Sequence, residues 1–175
     1  IKDSDLVLKA GFDMLCEDDS TDIVVISGDT THEGEIESHT EFIEMLHDLK
    51  KRGKRVYVIT ATHDFQDDGV AHAYDGDNRI EVPAVKDRHD LWDMYYDFGP
   101  SEAIATHKES MCYVVQLAPG YRLFALNDDT NYKPEGERGS GFSDDCMKWI
   151  LEQLKDAHDN DQYVIAMTHH PMISP

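Results

Sequence analysis

Three short apolar segments of this sequence end in the same way, and this repetition limits the folds open to the chain. Residues 23–26, 56–59 and 163–167 are rich in β-branched, aromatic and other apolar side chains. Segments of four or five such residues are typical of strands that are buried on both faces. A helical pattern precedes each segment, and alternating helices and strands indicate an α/β fold with parallel strands.

Polar residues follow each of the three predicted strands directly. The first runs into Ser27-Gly28-Asp29, the second into Thr60-Ala61-Thr62-His63-Asp64, and the third into Thr168-His169-His170-Pro171. Ligands of open α/β sheets bind beyond the carboxyl ends of the strands. Carboxylate and imidazole groups hold divalent metal ions. The joint placement therefore predicts a metal or phosphate site at this edge, although each residue alone could serve a turn or a solvated surface.

Length and charge restrict the classes of partner. A chain of 175 residues is expected to form one domain, residues 1–175, with a core of its own. The net charge of −20 opposes binding to a nucleic acid polymer or to an anionic membrane surface. A small phosphorylated substrate stays possible, because bound metal ions reverse the local charge. No apolar segment approaches the length of about 20 residues that spans a bilayer.

The cysteines give the only hint about the compartment. Cys16, Cys112 and Cys146 are widely spaced and form no Cys-x-x-Cys motif, which argues against a zinc ribbon or a redox motif. Free thiols favour a reducing compartment such as the cytoplasm. The sequence does not otherwise identify the location or the oligomeric state.

Local patterns predict several further elements. Ser38 and Glu41 have the spacing of a capping box, and Ser143 precedes two aspartates as the N-cap of a late helix. Residues 111–117 and 121–126 are expected to form an antiparallel hairpin, so the sheets should be mixed. Residues 64–90 have little periodicity, and we expect an irregular insertion there. Residues 128–141 are expected to form a polar loop, and both irregular segments are candidates for substrate specificity.

The order of these motifs resembles the calcineurin-like metallophosphoesterases, which include class III cyclic-nucleotide phosphodiesterases and purple acid phosphatases. That family carries Asp-x-His, Gly-Asp, Gly-Asn-His-Asp/Glu, a His often followed by His-Pro, and Gly-His-x-His. Gly28-Asp29 resembles the second motif, Thr62-His63-Asp64 the third, and His169-His170-Pro171 the fourth. The resemblance extends from about residue 5 to the end of the sequence.

The resemblance implies a fold and a reaction. The fold would be a four-layer α/β/β/α sandwich with two mixed central sheets, incomplete at both ends of this sequence. The activity would be metal-dependent hydrolysis of a phosphodiester or phosphomonoester of a small molecule. Two divalent ions, Mn, Fe or Zn in the intact protein, would clamp the phosphate and provide hydroxide.

The resemblance also assigns roles to individual residues. Asp29 would bridge the two ions and His169 would bind one of them. His63 would contact the phosphoryl group and protonate the leaving oxygen, and Asp64 would orient His63. Gly28 and His170 would support the ligands without binding metal.

The sequence departs from the family pattern in two ways. Thr62 stands where the family has an asparagine ligand, and a hydroxyl has a shorter reach than an amide carbonyl, so the second ion would be held weakly or through water. The first and last motifs are missing, and we therefore expect an internal fragment of a longer domain. Other histidines lack a supporting spacing, and those in helical patterns are expected to be solvated: His39, His47 and His158.

Two alternatives remain open. The first is a catalytically inactive protein of the metallophosphoesterase fold that serves as a binding or interaction domain, and Thr62 is its main support. The second is an unrelated acidic α/β protein of the receiver type, to which His63 and His169 are poorly suited. Metal content and phosphodiester turnover separate the enzyme from the binding domain.

Overall fold

The computed structural model describes residues 4–129 and 141–171, and within these ranges the chain is mixed α/β. The helices are α1 (Ser4–Glu17), α2 (Ile36–Lys51), α3 (Asp90–Met94) and α4 (Asp144–Asp159). The strands are β1 (Ile23–Ser27), β2 (Arg55–Ile59), β3 (Val70–Asp75), β4 (Asn78–Pro83), β5 (Ala105–His107), β6 (Cys112–Ala118), β7 (Tyr121–Ala125) and β8 (Tyr163–Met167).

The strands form three sheets in the described part of the chain. Strands β1 and β2 pair in parallel, and β3 and β4 form an antiparallel hairpin. The largest sheet has the order β5-β6-β7-β8, in which β7 and β8 are parallel and the other pairs are antiparallel. The predicted β6–β7 hairpin and the mixed α/β class are therefore confirmed, although only the four-stranded sheet is mixed among the described residues.

Strand β2 contributes side chains to two separate cores. Val56 and Val58 pack with residues of α1, α2 and β1, whereas Tyr57 and Ile59 pack against β6, β7 and β8. Successive side chains of a strand point to opposite faces, which explains this division. The two sheets thus meet through the Tyr57 face of β2, and their carboxyl ends can approach each other.

Helix α4 covers the other face of the four-stranded sheet. Its buried residues Cys146, Ile150 and Ala157 pack against Val114 of β6 and Phe124 of β7. The helix begins as predicted, because the Ser143 hydroxyl accepts a hydrogen bond from the backbone N–H of Cys146.

Two of the three strands that were predicted to be fully buried are not. Strand β2 is buried from Val56 onwards, but Val25 of β1 is 51% exposed and Ile165 of β8 is 50% exposed. Among the described residues β1 pairs only with β2, and β8 pairs only with β7. Apolar composition alone therefore overestimated the burial of β1 and β8.

The expected irregular insertion at residues 64–90 contains the regular hairpin β3–β4. Asp75 pairs with Asn78 across a two-residue loop, and Gly76 begins this loop with a φ of 62°. Glycine at the first position of a two-residue loop is a hairpin signal, which the acidic composition of the segment obscured. Contacts from His72 and Arg79 to Glu33 attach the hairpin to the loop after β1.

Helix α2 begins earlier than the capping-box spacing predicted. Its N-cap is Glu35, so Ser38 lies in the first turn of the helix. Residues 130–140 of the predicted 128–141 loop lie outside the described residues. In the described part of the chain, helices with the length and apolarity required to cross a membrane are absent.

Candidate metal and phosphoryl site

Three residues that the sequence predicted for the site lie together at the carboxyl ends of β1, β2 and β8. Oδ2 of Asp29 is 3.2 Å from Nε2 of His169, and Oδ1 of Asp29 accepts a hydrogen bond of 3.2 Å from the backbone N–H of His63. The side chains of Asp29 and His169 are 33% and 21% exposed, and His63 is exposed. A solvent-borne ligand can therefore reach all three.

A tight turn after β1 aims the Asp29 carboxylate. Gly28 and Asp29 have φ values of 88° and 54°, which lie in the left-handed region. Aspartate tolerates this region better than most residues. At Gly28 a Cβ atom would lie only 2.6 Å from the Cβ of Ala61, so the turn passes close to the end of β2. The lack of a side chain at Gly28 thus permits this close approach.

The Asp64 carboxylate holds this turn in place. Asp64 is fully buried, and its carboxylate accepts hydrogen bonds from the backbone N–H groups of Asp29, Thr30, Thr31 and Ala61 at 2.7–3.1 Å. A buried carboxylate is stable only when such donors surround it. Asp64 therefore links the end of β1 to the end of β2.

The expected contact between Asp64 and the His63 ring is wrong. The Asp64 oxygens are directed at the backbone donors of the β1 turn, whereas Nδ1 of His63 lies 2.7 Å from the carbonyl oxygen of His32. A carbonyl oxygen only accepts, so Nδ1 carries the proton and the other ring nitrogen, Nε2, remains available at the surface. The ring is thus oriented by the loop after β1.

His39, which was expected from the sequence to be solvated, lies next to Asp64 in the interior. His39 is fully buried, with Nε2 at 2.8 Å from the carbonyl oxygen of Asp64 and Nδ1 at 2.7 Å from the hydroxyl of Tyr95. Burial lowers the pKa of His39, so the neutral ring donates from Nε2 and accepts at Nδ1. The Tyr95 oxygen also lies 3.3 Å from Oγ1 of Thr30, which ties this network to the β1 turn.

A hydrogen bond to the backbone of β1 fixes the orientation of the His169 ring. Its Nδ1 lies 2.8 Å from the carbonyl oxygen of Ser27, so this nitrogen carries a proton and Nε2 presents a lone pair when the ring is neutral. That lone pair faces an oxygen of Asp29 at 3.2 Å. Two acceptors at this distance repel each other unless a cation or a proton lies between them. A ligand nitrogen that is oriented through the opposite ring nitrogen is the usual arrangement at metal centres.

Thr62 begins the short 3-10 turn Thr62–Asp64, which Thr60 and Ala61 separate from the end of β2. Its neighbours on both sides contact the site, since Ala61 donates to Asp64 and His63 donates to Asp29. Thr62 therefore lies at the same edge as Asp29 and Asp64.

A fourth strand brings two aspartates that the sequence analysis did not select. Asp128 and Asp129 follow β7, and together with His170 they form a group whose ligand atoms lie within 4.8 Å of one another. Asp128 accepts hydrogen bonds from the backbone N–H groups of His169 and His170, at 3.2 and 3.0 Å. The signal was present, because the apolar run of β7, like those of β1, β2 and β8, is followed within a few residues by carboxylate or imidazole side chains.

Burial is the main reason that the pKa of Asp129 is raised to about 6, and the nearby Asp128 carboxylate adds to the rise while His170 opposes it. Nδ1 of His170 lies 3.2 Å from Oδ2 of Asp128. The Asp128 carboxylate thus anchors the turn after β8 in the same manner as Asp64 anchors the turn after β1.

The donor groups at this edge suit divalent metal ions. Carboxylate oxygens and a neutral imidazole bind Mn, Fe and Zn ions. When His169 is neutral, no proton lies between its Nε2 and the Asp29 carboxylate, so both atoms can act as ligands. The partial exposure of both side chains leaves room for an ion and a substrate. The residues present therefore fit the metal ions that the sequence suggested.

Comparison with known proteins agrees with this geometry. A family model described as calcineurin-like phosphoesterase matches residues 6–175. A solved structure of a dimetal phosphatase from Danio rerio is similar to this chain with a TM-score of 0.56 and 12% sequence identity. The match covers 98% of this chain and 62% of that structure, so the chain spans less than two thirds of its length. Among curated proteins no significant match is found.

Proposed function

Because this chain belongs to the calcineurin-like phosphoesterase family, we propose that it is the core of a metal-dependent phosphoesterase that hydrolyses a phosphodiester or phosphomonoester of a small molecule. The observation that carries the proposal is the facing pair of Asp29 Oδ2 and His169 Nε2 at 3.2 Å. The hydrogen bond from Nδ1 of His169 to Ser27 leaves this pair ready for a cation.

Asp29 and His169 would hold the metal ions, with Thr62 as a weaker third ligand. Two divalent ions, Mn, Fe or Zn, are proposed for the intact protein, which would have to supply ligands beyond these three residues. When bound, such ions lower the pKa of water and neutralise the charge of a phosphoryl group. Asp64 and Asp128 would keep the ligands in position, because each holds the backbone of a ligand-bearing turn.

His63 would supply the proton that the leaving oxygen needs. Its Nδ1 is held by the His32 carbonyl, so a proton on Nε2 points away from the protein towards solvent. The backbone N–H of His63 donates to Asp29, which keeps the ring next to the metal ligands. General acid catalysis by a positioned histidine contributes roughly 10²–10⁴-fold.

The charge of the chain favours a small substrate. A net charge of −20 opposes a nucleic acid polymer, whereas one phosphate group can be neutralised locally by metal ions. The β3–β4 hairpin is a candidate for substrate selection, because His72 and Arg79 contact Glu33 next to His32, whose carbonyl orients His63.

Thr62 favours a second candidate, a binding domain of the same fold without catalysis. A threonine in place of the asparagine ligand would weaken the binding of one ion. Phosphoryl transfer by the two-ion mechanism needs both ions. The same edge would then bind a phosphate group and release it unchanged.

Metal reconstitution of the full-length protein tests the proposal. Chelated protein is supplied with Mn²⁺ or Zn²⁺ and assayed with bis(p-nitrophenyl) phosphate and p-nitrophenyl phosphate. We expect metal-dependent turnover that falls at least about 100-fold in His63→Ala without loss of bound metal. His158→Ala, at an exposed position of α4, is the control and should retain full turnover. Bound metal without turnover of either ester would support the binding domain.

A further inference from the structure

The carboxylate of Asp129 is buried without hydrogen-bond donors. Its side chain is only 5% exposed, and in the described part of the chain neither of its oxygens accepts a hydrogen bond. The neighbouring Asp128 differs, because its oxygens accept from the backbone of His169 and His170. An isolated buried carboxylate is costly, so a positive partner is needed at Asp129.

The groups around Asp129 have the chemistry and spacing of a metal site. Nδ1 of His170 lies 3.5 Å from Oδ1 of Asp129 and 3.2 Å from Oδ2 of Asp128. Ligands that lie 2.0–2.1 Å from a tetrahedral ion are about 3.4 Å apart, which matches both distances. Two carboxylates and one imidazole provide the oxygen and nitrogen donors that Mn²⁺ and Zn²⁺ accept.

We propose that Asp128, Asp129 and His170 bind a divalent cation of their own, separate from the ions at Asp29 and His169. The two adjacent histidines face different carboxylates: Nε2 of His169 lies 3.2 Å from Asp29, whereas Nδ1 of His170 lies 3.2 Å from Asp128 and 3.5 Å from Asp129. The ion would neutralise the buried carboxylates and fasten the end of β7 to the turn after β8. This site does not depend on phosphoesterase activity.

Metal content at equilibrium tests the proposal in the full-length protein. Chelated wild-type protein and the variants Asp129→Asn, His170→Ala and Asp29→Asn are dialysed against Mn²⁺, and bound manganese is measured per chain by plasma mass spectrometry. We expect Asp129→Asn and His170→Ala each to lose one ion relative to wild type. Asp29→Asn should retain this ion while it loses metal from the other site. Asp19→Asn, at an exposed position after α1, is the matched control and should bind as wild type does.

Thermal unfolding gives a second readout. In chelator, Asp129→Asn should unfold at a higher temperature than wild type, because an amide removes the unpaired buried charge. Addition of Mn²⁺ should raise the unfolding temperature of wild type more than that of Asp129→Asn.

The outcomes separate this site from the proposed function. If Asp129→Asn and His170→Ala bind as much manganese as wild type, the site does not exist. If Asp129→Asn fails to fold, His170→Ala decides alone, since the His170 side chain is 37% exposed and its removal opens little buried space. Loss of one ion in His170→Ala with unchanged metal in Asp29→Asn would support this site and contradict the ligands proposed for catalysis.

Discussion

The Asp29 carboxylate and the His169 imidazole face each other at 3.2 Å from two different sheets. The ring nitrogen that faces Asp29 is the one that carries no proton in the neutral ring, since the other donates to the carbonyl oxygen of Ser27. Such a contact is unfavourable while the ring is neutral and becomes favourable when a cation or a proton joins the two groups. This contact requires that the two sheets are positioned accurately. The buried carboxylates of Asp64 and Asp128 contribute to this, because they hold the turns that carry Asp29 and His169.

Replacement of Asp64 should destabilise the fold as well as the site. In Asp64→Asn the amide nitrogen faces backbone N–H donors of the turn at Asp29–Thr31 and of Ala61, so hydrogen bonds are lost in a buried position. We expect a loss of about 3–5 kcal/mol in the free energy of unfolding, measured by urea denaturation. Asp68→Asn is the control, because exposed Asp68 accepts a single bond from the N–H of Val70. Equal effects of the two substitutions would show that Asp64 does not organise the turn.

Gly28 is predicted to be intolerant of any side chain. Both Gly28 and Gly53 have positive φ values, 88° and 84°, so alanine is conformationally unfavourable at each. Only at Gly28 would the new Cβ meet another atom, the Cβ of Ala61 at 2.6 Å, whereas Gly53 faces open space. Gly28→Ala should therefore lower the free energy of unfolding by about 1–3 kcal/mol more than Gly53→Ala. Matching denaturation midpoints for the two variants would contradict the close approach of the β1 and β2 ends.

Restoration of an amide at residue 62 should strengthen metal binding. Asparagine reaches further than threonine and offers a carbonyl oxygen, which is a better ligand than a neutral hydroxyl. We expect Thr62→Asn to tighten Mn²⁺ binding about tenfold, or about 1.4 kcal/mol, by isothermal titration calorimetry. Thr40→Asn, on the exposed side of α2, should leave the affinity unchanged. An unchanged or weaker affinity of Thr62→Asn would place the metal away from this turn.

The buried carboxylate of Asp129 should leave a signature in the pH dependence of stability. Its pKa is raised from 3.8 to about 6, so between these pH values the folded state binds more protons than the unfolded state. Stability in chelator should therefore fall as pH rises from about 4 to about 6, by up to about 3 kcal/mol. Asp129→Asn should lack this decline, because the groups that face residue 129, His170 and Asp128, are the same in both proteins. Parallel stability curves from pH 4 to 7 would contradict the assignment.

The sequence was informative wherever a local pattern determined the structure. The apolar runs of β1, β2 and β8 predicted the strands. The parallel β1–β2 pair brings Asp29 and His63 to one edge, and the packing of Tyr57 and Ile59 against the sheet that contains β8 brings His169 to the same place.

What the sequence did not predict depends on contacts between distant residues. His39 occupies a polar stretch of α2. Its burial depends on the hydrogen bonds that its two ring nitrogens make with the Tyr95 hydroxyl and the Asp64 carbonyl oxygen. The Asp64 carboxylate was expected to contact the His63 ring. In the structure it accepts hydrogen bonds from the turn after β1, which lies 33–35 residues away in the sequence. Asp129 had a visible signal at the end of β7, but its lack of donors is a property of the packed structure.

Metal content of the full-length Asp29→Asn variant tests most directly whether Asp29 and His169 form a metal site. An amide at this position presents at most one neutral oxygen to an ion and cannot balance its charge. We predict that an Asp29→Asn variant whose circular dichroism spectrum shows it to be folded binds at least one divalent ion fewer per chain than wild type. It should also lose turnover of bis(p-nitrophenyl) phosphate. A folded Asp29→Asn variant with the full wild-type metal content would contradict the account.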